Sequence, residues 1–326
     1  MGESWRVRSL GEPHEALVRE EVGEPEVGPG EVAVRVRAAS VNFPDLLLCR
    51  GDYHHKPTLP FGLGSEAAGE IVAAGEGAEF GVGTRVLVAP MAYGCFSEYV
   101  VAPLGSTFEI PSQMAWEDAA CLFLTYQTAW IGLHRRAGVT PGEWVLVLGG
   151  SGGVGSAAIQ VARGAGARVV TTASSPDKAR ACQEIGAHHV VDLSTANLRA
   201  EVLEVTGGMG VDIVVDPVGG DLFDEATKVV AVEGRYLVVG FASGTIPTAR
   251  LNHALMKNYA IVGFRLQPFR EDVEYARQVH AELVALAGAG IVAPVVRERY
   301  PFDAVPAAVA RLGTRGVVGK VLVLGP

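Results

Sequence analysis

The chain has 326 residues, of which 49% are hydrophobic and 19% are charged, and its net charge at pH 7 is −9. A chain of this length predicts two domains, each with its own hydrophobic core. The negative charge disfavours nucleic acid and anionic membranes as partners, and no run of about 18 apolar residues is present that could span a bilayer. Because the first ten residues also lack the apolar core of a signal peptide, we expect a cytoplasmic protein.

Residues 1–122 predict a β-rich domain with little helical periodicity. The motif NFPD at 42–45 predicts the start of a short helix, with Asn42 as its N-cap and Pro44 in its first turn. Four cysteines lie far apart along the chain without a C-x-x-C pair, which argues against a disulfide framework or a cysteine-rich zinc lobe. Strands are predicted at 31–38, 69–74, 84–89 and 96–102.

The segment 145–162, VLVLGGSGGVGSAAIQVA, is an apolar strand, a glycine-rich bend and an Ala-rich helix in that order. Gly150, Gly152 and Gly155 form the G-x-G-x-x-G pattern of a dinucleotide-binding turn. In this pattern Gly150 makes the tight turn, Gly152 lets the backbone approach a pyrophosphate, and Gly155 lets the helix lie close to the strand. The helix N-terminus then presents N–H groups to the phosphates. An ordinary glycine-rich turn is the alternative.

The remainder of residues 123–264 alternates between apolar strands and helices. This order predicts a parallel, doubly wound sheet that is covered on both faces. The last strand is an apolar edge that a second copy of the chain could cover, so we expect a homodimer through residues 259–264. Strands are predicted at 167–173, 190–191, 213–216, 236–240 and 259–264, and helices at 176–185, 198–205 and 222–230.

The residues after the second strand of this sheet indicate which cofactor binds. An acidic residue there would bond the ribose 2′-hydroxyl of NAD(H). The chain instead has Ser174 and Ser175, followed by the cation Lys178, and Asp177 is the acid nearby. A hydroxyl and a cation suit a 2′-phosphate, so NADPH is the predicted cofactor. A solvated surface charge is the alternative role for Lys178.

The C-terminal residues return to a β pattern after one helix. The helix is predicted at 271–287, and strands are predicted at 292–300 and 319–324. We expect this segment to fold back onto the first domain. The predicted domains are therefore 1–122 together with 265–326, and 123–264.

Five motifs occur in an order and spacing that resemble the medium-chain dehydrogenase/reductase superfamily along the whole chain. The residues within these motifs are similar to those of the zinc-free NADPH:quinone oxidoreductase branch, the relatives of ζ-crystallin. This resemblance implies an α/β chain with a GroES-like β-barrel catalytic domain and a Rossmann domain that binds NADPH. The motifs are SVNFPD at 40–45, GLGSEAAG at 62–69, LTYQTAW at 124–130, GGVG at 152–155 and DPVGG at 216–220.

The resemblance also implies a site without zinc. Zinc-dependent members carry a cysteine at the position of Asn42 and a histidine at that of Ser65, and their third ligand falls near Leu124. Amide, hydroxyl and alkyl groups do not hold zinc at physiological affinity. Without a Lewis acid, an acceptor that is already electrophilic is favoured, such as a quinone or a double bond conjugated to a carbonyl.

Site residues follow from the same resemblance. Tyr53 is the candidate proton donor, with solvent as the alternative, and Asn42 is a second catalytic candidate. The family pattern is broken at Leu47 and Asp192, where relatives often have tyrosine, so Tyr53 is the one phenol expected in its region. The cofactor contacts implied are Asn42 and Thr128 at the ribose and phosphate, Gly152, Gly153 and Val154 at the pyrophosphate, and Ser174 and Lys178 at the 2′-phosphate. Gly240, Phe241, Ser243 and Phe264 are expected on the nicotinamide side, and Gly319 and Lys320 in a segment that returns to the cofactor.

Two other functions remain open on the sequence. One is an enoyl-thioester reductase, similar to acrylyl-CoA reductases, or an alkenal reductase. An enoyl-thioester reductase would need a basic surface for a carrier phosphate, for which Arg265 and Arg270 are candidates. The other is a non-catalytic NADPH-binding protein. In each case the expected partner is a small molecule.

Overall fold

The computed structural model describes residues 2–326, and the chain divides into two compact units. The first contains the residues up to Leu124, Arg270–Val284 and Val296–Pro326, and the second contains Thr125–Phe269 and Ala285–Val295. The segment 285–295 joins the second unit because both the N–H and the carbonyl of Ala293 bond to the Gln160 side chain, each at 2.8 Å. The domain limits drawn from the sequence place this segment in the first domain, and they stay a prediction.

Within residues 2–124 the regular elements are mostly strands. The helices among them are α1 (Pro13–Ala16), α2 (Phe43–Arg50) and α3 (Trp116–Ala119). The strands are β1 (Gly2–Val7), β2 (Leu17–Val22), β3 (Glu31–Val41), β4 (Phe61–Gly62), β5 (Ala67–Ala74), β6 (Arg85–Val88), β7 (Tyr99–Pro103) and β8 (Thr107–Glu109).

Residues 125–269 alternate between helices and strands. The strands are β9 (Trp144–Val147), β10 (Arg168–Ala173), β11 (His189–Asp192), β12 (Val211–Asp216), β13 (Val230–Val238) and β14 (Ala260–Gly263). The helices are α4 (Leu124–Ile131), α5 (Gly153–Gly164), α6 (Pro176–Ile185), α7 (Leu198–Val205), α8 (Asp221–Thr227), α9 (Leu251–Lys257) and α10 (Gln267–Glu271). The chain ends with α11 (Val273–Gly288), β15 (Val296–Tyr300), α12 (Val305–Arg311) and β16 (Lys320–Leu324).

Strand β3 organises the first unit. It pairs antiparallel with β5, with β7 and with the C-terminal strand β16, which is itself parallel to β15. The strand predicted at 31–38 thus extends to Val41, because β16 pairs with its C-terminal end. The other strands of this sheet are β6 and β8, and a separate small sheet has the order β2-β1-β4.

The second unit is built on a parallel sheet. Within residues 2–326 its strands have the order β11-β10-β9-β12-β13-β14. The central strand β9 is buried on both faces, and Val145, Leu146 and Val147 are fully buried, as expected when helices cover a parallel sheet on both sides. The predicted α/β class, with a GroES-like domain and a Rossmann sheet, is confirmed.

Some predicted bounds are wrong. The strand predicted at 292–300 begins only at Val296, and the strand predicted at 236–240 ends at Val238. The helix predicted at 222–230 ends at Thr227, because Val230 already begins β13. No helix in the described part of the chain is long and apolar enough to cross a membrane.

Candidate cofactor and acceptor sites

A glycine-rich turn joins β9 to α5, where the sequence predicts the dinucleotide site. Gly149 has a φ of 65°, in the left-handed region that favours glycine. A Cβ on Gly150 would lie 2.0 Å from the Thr171 hydroxyl oxygen in β10, and a Cβ on Gly155 would lie 2.2 Å from the Gly149 carbonyl oxygen. The tight turn predicted for Gly150 is therefore made by Gly149, whereas Gly150 is required by its contact with β10. Gly155 keeps α5 close to the turn, as predicted.

The N-terminus of α5 offers backbone donors to an anion. Gly152 is the N-cap and carries no capping side chain, and the first bond within the helix runs from the Ser156 N–H to the Gly152 carbonyl at 2.8 Å. The N–H groups of Gly153, Val154 and Gly155 precede that bond, so they can bind phosphate oxygens. A Cβ on Gly152 would meet only the Gly149 carbonyl, at 3.5 Å. The backbone at Gly152 therefore faces open space, and this shape fits a pyrophosphate.

Ser174 and Lys178 lie just beyond the carboxyl end of β10. Ser174 is exposed, and the next residue, Ser175, caps α6 by accepting a hydrogen bond from the Lys178 backbone N–H at 3.4 Å. Among the described residues no carboxylate pairs with the Lys178 ammonium, whereas the Arg180 guanidinium is paired with Asp177. An ammonium without a counter-ion beside a serine hydroxyl is suited to a phosphate dianion.

Asp192, where the family pattern is broken, is held in its own turn. Its carboxylate accepts hydrogen bonds from the Ser194 N–H at 3.0 Å and from the Ser194 hydroxyl at 2.6 Å. Both bonds stabilise the turn after β11. The Asp192 carboxylate is therefore already bonded to Ser194, at the edge of the sheet where a cofactor phosphate is expected.

A buried carboxylate shapes the loops after β12 and β13. Asp216 accepts hydrogen bonds from the Val218 and Gly219 N–H groups, each at 2.8 Å, and from the Tyr236 hydroxyl at 2.7 Å. Burial and the neighbouring Asp216 raise the pKa of Tyr236, so this phenol stays a donor. The DPVGG motif is therefore a loop folded around its own first residue.

Four predicted nicotinamide contacts lie at the carboxyl edge of the same sheet. Gly240 follows β13, and its N–H bonds to the Asp216 carbonyl at 3.2 Å. The next loop packs against Gly219 and Gly220, where added Cβ atoms would meet Phe241 at 2.9 Å and Ser243 at 2.8 Å. Phe264 follows β14, and its ring centroid is 5.7 Å from that of Phe269. Parallel strands of this fold bind ligands at this edge. Thr128 lies in α4 with a buried side chain.

The first unit contains a buried polar cluster around Glu66. One Glu66 carboxylate oxygen accepts the Asn42 side-chain amide at 3.0 Å and the Lys320 ammonium at 3.3 Å, and the other accepts the Leu124 N–H at 2.7 Å. The Lys320 ammonium also donates to the Asn42 side-chain oxygen. Exposure is 3% for Asn42, 0% for Glu66 and 3% for Lys320. A buried ion pair is tolerated when its polar atoms are bonded in this way.

Asp45 and Ser65 form the second half of this cluster. Asp45 accepts the Asn42 backbone N–H at 2.8 Å and the Ser65 hydroxyl at 3.1 Å. Burial raises the pKa of Asp45 to about 7, although these two hydrogen bonds and the Lys320 charge oppose the rise. Asn42 is the N-cap residue of α2, as predicted. Its side chain bonds to Glu66 and Lys320, and the Asp45 carboxylate accepts the Asn42 backbone N–H, which is one bond of a capping box at the start of α2.

Aromatic side chains and one arginine lie together in another part of the first unit. Tyr53 and Tyr93 are half-buried, and both pack against its hydrophobic core. Burial raises the pKa of Tyr93 to about 12, with the neighbouring Tyr53 adding to the rise and Arg270 opposing it. The Arg270 guanidinium lies 5.1 Å from the centre of the Phe123 ring. The sequence expectation that Tyr53 is the one phenol in its region is therefore wrong, because Tyr93, in the loop between β6 and β7, interacts with it electrostatically.

Comparisons with known proteins agree over the whole chain. Two family models match, the alcohol dehydrogenase GroES-like domain over residues 28–112 and the zinc-binding dehydrogenase over residues 153–282. Bovine quinone oxidoreductase-like protein 2 is 34% identical over 98% of this chain and 93% of its own length. The human synaptic vesicle membrane protein VAT-1 homolog is 35% identical over 93% of this chain and 81% of its own. The structure of Escherichia coli quinone oxidoreductase complexed with NADPH has a TM-score of 0.92 at 28% identity and covers 99% of both chains.

The chain belongs to the medium-chain dehydrogenase/reductase superfamily. Within the superfamily it falls in the quinone oxidoreductase branch. The resemblance found in the sequence motifs is thus confirmed. The bovine relative is named for its similarity to quinone oxidoreductase, and the E. coli protein is a quinone oxidoreductase. The chain is therefore an oxidoreductase of this superfamily.

The metal position of the superfamily has an unusual set of side chains here. Within residues 2–326 no group of three or more His, Cys, Asp or Glu side chains could hold a metal ion. The positions that the family resemblance assigns to the zinc ligands are Asn42, Ser65 and one near Leu124, and the first two carry an amide and a hydroxyl. The ammonium of Lys320 lies among these groups and already carries a positive charge. Such a donor set does not fit zinc, which binds thiolate, imidazole and carboxylate in proteins.

The structure brings most of the predicted site residues together in two groups. Those that follow strands of the parallel sheet lie at its carboxyl edge, and Asn42 and Lys320 meet in the buried cluster of the other unit, where Gly319 directly precedes Lys320. Thr128 lies in α4, and Tyr53 belongs to neither group. Sequence reasoning missed Glu66, although it lies inside the quoted GLGSEAAG motif. It also missed the joint placement of Tyr93 and Arg270, for which the sequence carries no local signal.

Proposed function

We propose that the chain is an NADPH-dependent reductase that transfers hydride to quinones or related conjugated carbonyls without zinc. The observation that carries the proposal is the open backbone at Gly152, at the N-terminus of α5, with the free Lys178 ammonium after the next strand. The first feature suits a pyrophosphate and the second suits a 2′-phosphate. The E. coli quinone oxidoreductase with this fold was solved in complex with NADPH, which supports the same cofactor.

Cofactor binding is proposed to divide among the described loops. Gly152, Gly153 and Val154 hold the pyrophosphate, with Gly150 and Gly155 shaping the turn. Ser174 and Lys178 hold the 2′-phosphate. The nicotinamide end of the cofactor is assigned to Gly240, Phe241, Ser243, Phe264, Asn42, Thr128, Gly319 and Lys320. Two of the three N–H donors of the Lys320 ammonium already have partners. Lys320 can therefore donate only its third N–H to a cofactor.

When it is bound, NADPH supplies the hydride, and the chain must position the acceptor and provide a proton. No thiol is suited to covalent catalysis, because the four cysteines at 49, 95, 121 and 182 are buried and burial raises their pKa values. We propose that the Tyr53 phenol either donates the proton to the acceptor or donates a hydrogen bond to the carbonyl oxygen of the acceptor. Asn42 is held in one orientation by Glu66 and Lys320 and is proposed to act as a fixed amide of the site.

The exposed edge of the parallel sheet supports a homodimer. Ile261 in β14 is 36% exposed, and no strand pairs with the outer side of β14 within residues 2–326. The nearby helix α9 buries none of its residues and exposes Leu251, Leu255 and Met256 at 72%, 76% and 79%. An edge strand and apolar side chains of this kind favour association. We propose that a second copy pairs with β14 about a two-fold axis.

The enoyl-thioester alternative gains no support from the two arginines suggested for it. Arg265 is exposed and bonds to the Gln267 side chain, and Arg270 is half-buried over the Phe123 ring. A non-catalytic NADPH-binding protein would keep the cofactor site and lack turnover. Turnover therefore separates it from the proposed reductase.

NADPH oxidation by the purified protein tests the proposal, with a benzoquinone, an alkenal and an enoyl-CoA as acceptors and zinc measured in the same preparation. We expect the largest kcat/KM with the quinone and less than stoichiometric zinc. Gly152→Val, which fills the open space at the turn, should abolish NADPH binding. Gly81→Val is the matched control, because a Cβ at Gly81 meets no atom within 4 Å. Binding of NADPH without turnover of any acceptor, or one zinc ion per chain, would contradict the proposal.

A further inference from the structure

The guanidinium of Arg270 is half-buried and lacks a counter-ion. One of its N–H groups donates to the Ala89 carbonyl, and its face lies over the Phe123 ring. Within residues 2–326 no carboxylate forms a salt bridge with Arg270, and no other protein group accepts a hydrogen bond from it. A guanidinium has five N–H donors in a fixed plane, so most of these donors remain for a ligand.

The phenol of Tyr93 interacts electrostatically with this guanidinium, and the Tyr93 backbone is strained. Tyr93 has a φ of 63°, which places a bulky residue in the left-handed region. Non-glycine residues held in this region are concentrated at functional sites. The turn is fixed by a bond from the Tyr93 N–H to the Pro90 carbonyl at 3.3 Å and by Gly94 with a φ of 96°. No described group accepts a hydrogen bond from the Tyr93 hydroxyl.

The charges around Arg270 do not cancel its own. The groups that interact electrostatically with it are Tyr93, Cys95, Glu66 and Tyr53. Burial raises the pKa of Tyr93 to about 12 and that of Cys95 well above its usual range, so both are neutral. Glu66 is already paired with Lys320. One positive charge therefore remains beside two phenols, and this arrangement attracts an anion.

We propose that Arg270 and Tyr93 bind the carbonyl oxygen of the acceptor and stabilise the oxyanion that hydride transfer creates there, a role that rests on the proposed reductase function. With an enone, the hydride and its electron pair form a C–H bond at the β-carbon. The C=C π electrons move to the Cα–C bond, and the carbonyl π electrons move to oxygen, which becomes an enolate. With a quinone the product is the hydroquinone monoanion, and a proton from Tyr53 or water completes the reduction.

Fixed donors aimed at a developing negative charge stabilise the transition state more than the ground state. Arg270 supplies such donors and forms no hydrogen bond with the Asn42–Glu66–Lys320 cluster. Its role is to stabilise charge, whereas the role assigned to Tyr53 is to deliver a proton. The two roles predict different responses to an anionic ligand that needs no proton.

The test uses para-nitrophenol, whose ionised and neutral forms have different absorbance, with neutral para-nitroanisole as the matched ligand. We expect the wild type to bind para-nitrophenolate and to lower the apparent pKa of the bound phenol. Arg270→Gln should weaken phenolate binding by about tenfold or more, as expected for hydrogen bonds to a charged group, and should leave para-nitroanisole binding unchanged. Arg270→Lys should retain part of the effect, and Tyr93→Phe should show a smaller loss. Arg315→Gln removes an exposed cation from the same unit and should behave as the wild type.

Kinetics give a second measurement. Arg270→Gln should lower kcat for the preferred acceptor by roughly tenfold to a hundredfold, as when an oxyanion donor is removed, with the Kd for NADPH unchanged. Equal phenolate binding by the wild type and Arg270→Gln overturns the assignment, even if the wild type reduces quinones. A parallel loss of phenolate, para-nitroanisole and NADPH binding would show a structural role and would also overturn it. Absence of turnover in the wild type refutes only the proposed function, because the phenolate titration needs no turnover.

Discussion

Removal of the Lys178 side chain should change the choice between NADPH and NADH. The ammonium has no carboxylate partner among the described residues, so a 2′-phosphate would be its counter-ion. A hydrogen bond between charged groups contributes roughly 1.5–3 kcal/mol, and Lys178 is only half-buried, so solvent screening favours the lower value. A loss of about 1.5 kcal/mol corresponds to a little more than a tenfold change in Kd.

Titration of NADPH and NADH into the wild type and Lys178→Ala, followed by nicotinamide fluorescence, measures this effect. The Kd for NADPH should rise about tenfold, and the Kd for NADH should stay the same because NADH has no 2′-phosphate. Arg180→Ala is the matched control, since Arg180 lies two residues away and is already paired with Asp177. It should change the NADPH to NADH ratio much less. Equal affinity of the wild type for both cofactors would refute the assignment of Ser174 and Lys178.

Three further predictions concern catalysis, assembly and acid stability. Tyr53→Phe should lower kcat by roughly 10²-fold or more with alkenals and less with quinones, whose reduced form takes protons from water; unchanged turnover of both excludes a chemical role for Tyr53. The wild type should be a dimer by light scattering at micromolar concentration, and Ile261→Glu in β14 should be a monomer; a monomeric wild type contradicts the β14 interface. Burial lowers the pKa of His280 to about 4 from 6.5, so the unfolded state binds a proton first as the pH falls. His280 should therefore lower the free energy of unfolding by about 1.6 kcal/mol between pH 6.5 and pH 5, while Asp45, whose pKa is raised, contributes in the opposite direction. In urea unfolding, the difference between the wild type and His280→Phe isolates the His280 contribution; an identical pH dependence of the two would show that His280 makes none.

The sequence predicted the parallel-sheet unit well, because its signals are local. The helices at 176–185 and 198–205 are confirmed with their bounds. The first begins at Pro176, and Gly186 follows its end with a φ of 108°. The strand predicted to begin at Val292 failed for a different reason. Val292 is 2% exposed, but it lies in the loop whose neighbour Ala293 bonds to Gln160. A buried apolar residue thus matched the sequence pattern of a strand although it does not belong to a sheet.

The candidate site was predictable only where its residues lie close together in the sequence. The glycine turn, Ser174 and Lys178 lie within one strand–helix–strand unit, so spacing alone places them together. Arg270 and Ala89 are 181 residues apart, and neither belongs to a motif with a mechanism. Their contact depends on the tertiary fold of the first unit, to which both residues belong. A single sequence does not encode that contact in any local pattern.

The pairing of Lys320 with Glu66 and Asn42 restricts how this chain could change during evolution. Replacing Asn42 by cysteine and Ser65 by histidine would install two of the groups that hold zinc in related dehydrogenases, but the ammonium would still lie at the same place. Two positive charges at that spacing repel each other in a buried site, so the metal would bind only after Lys320 had also been replaced. Replacing Lys320 first would leave Glu66 buried without a counter-ion, which typically costs several kcal/mol. A metal-dependent descendant of this chain would therefore require coordinated changes at Asn42, Ser65 and Lys320, which lie far apart in the sequence.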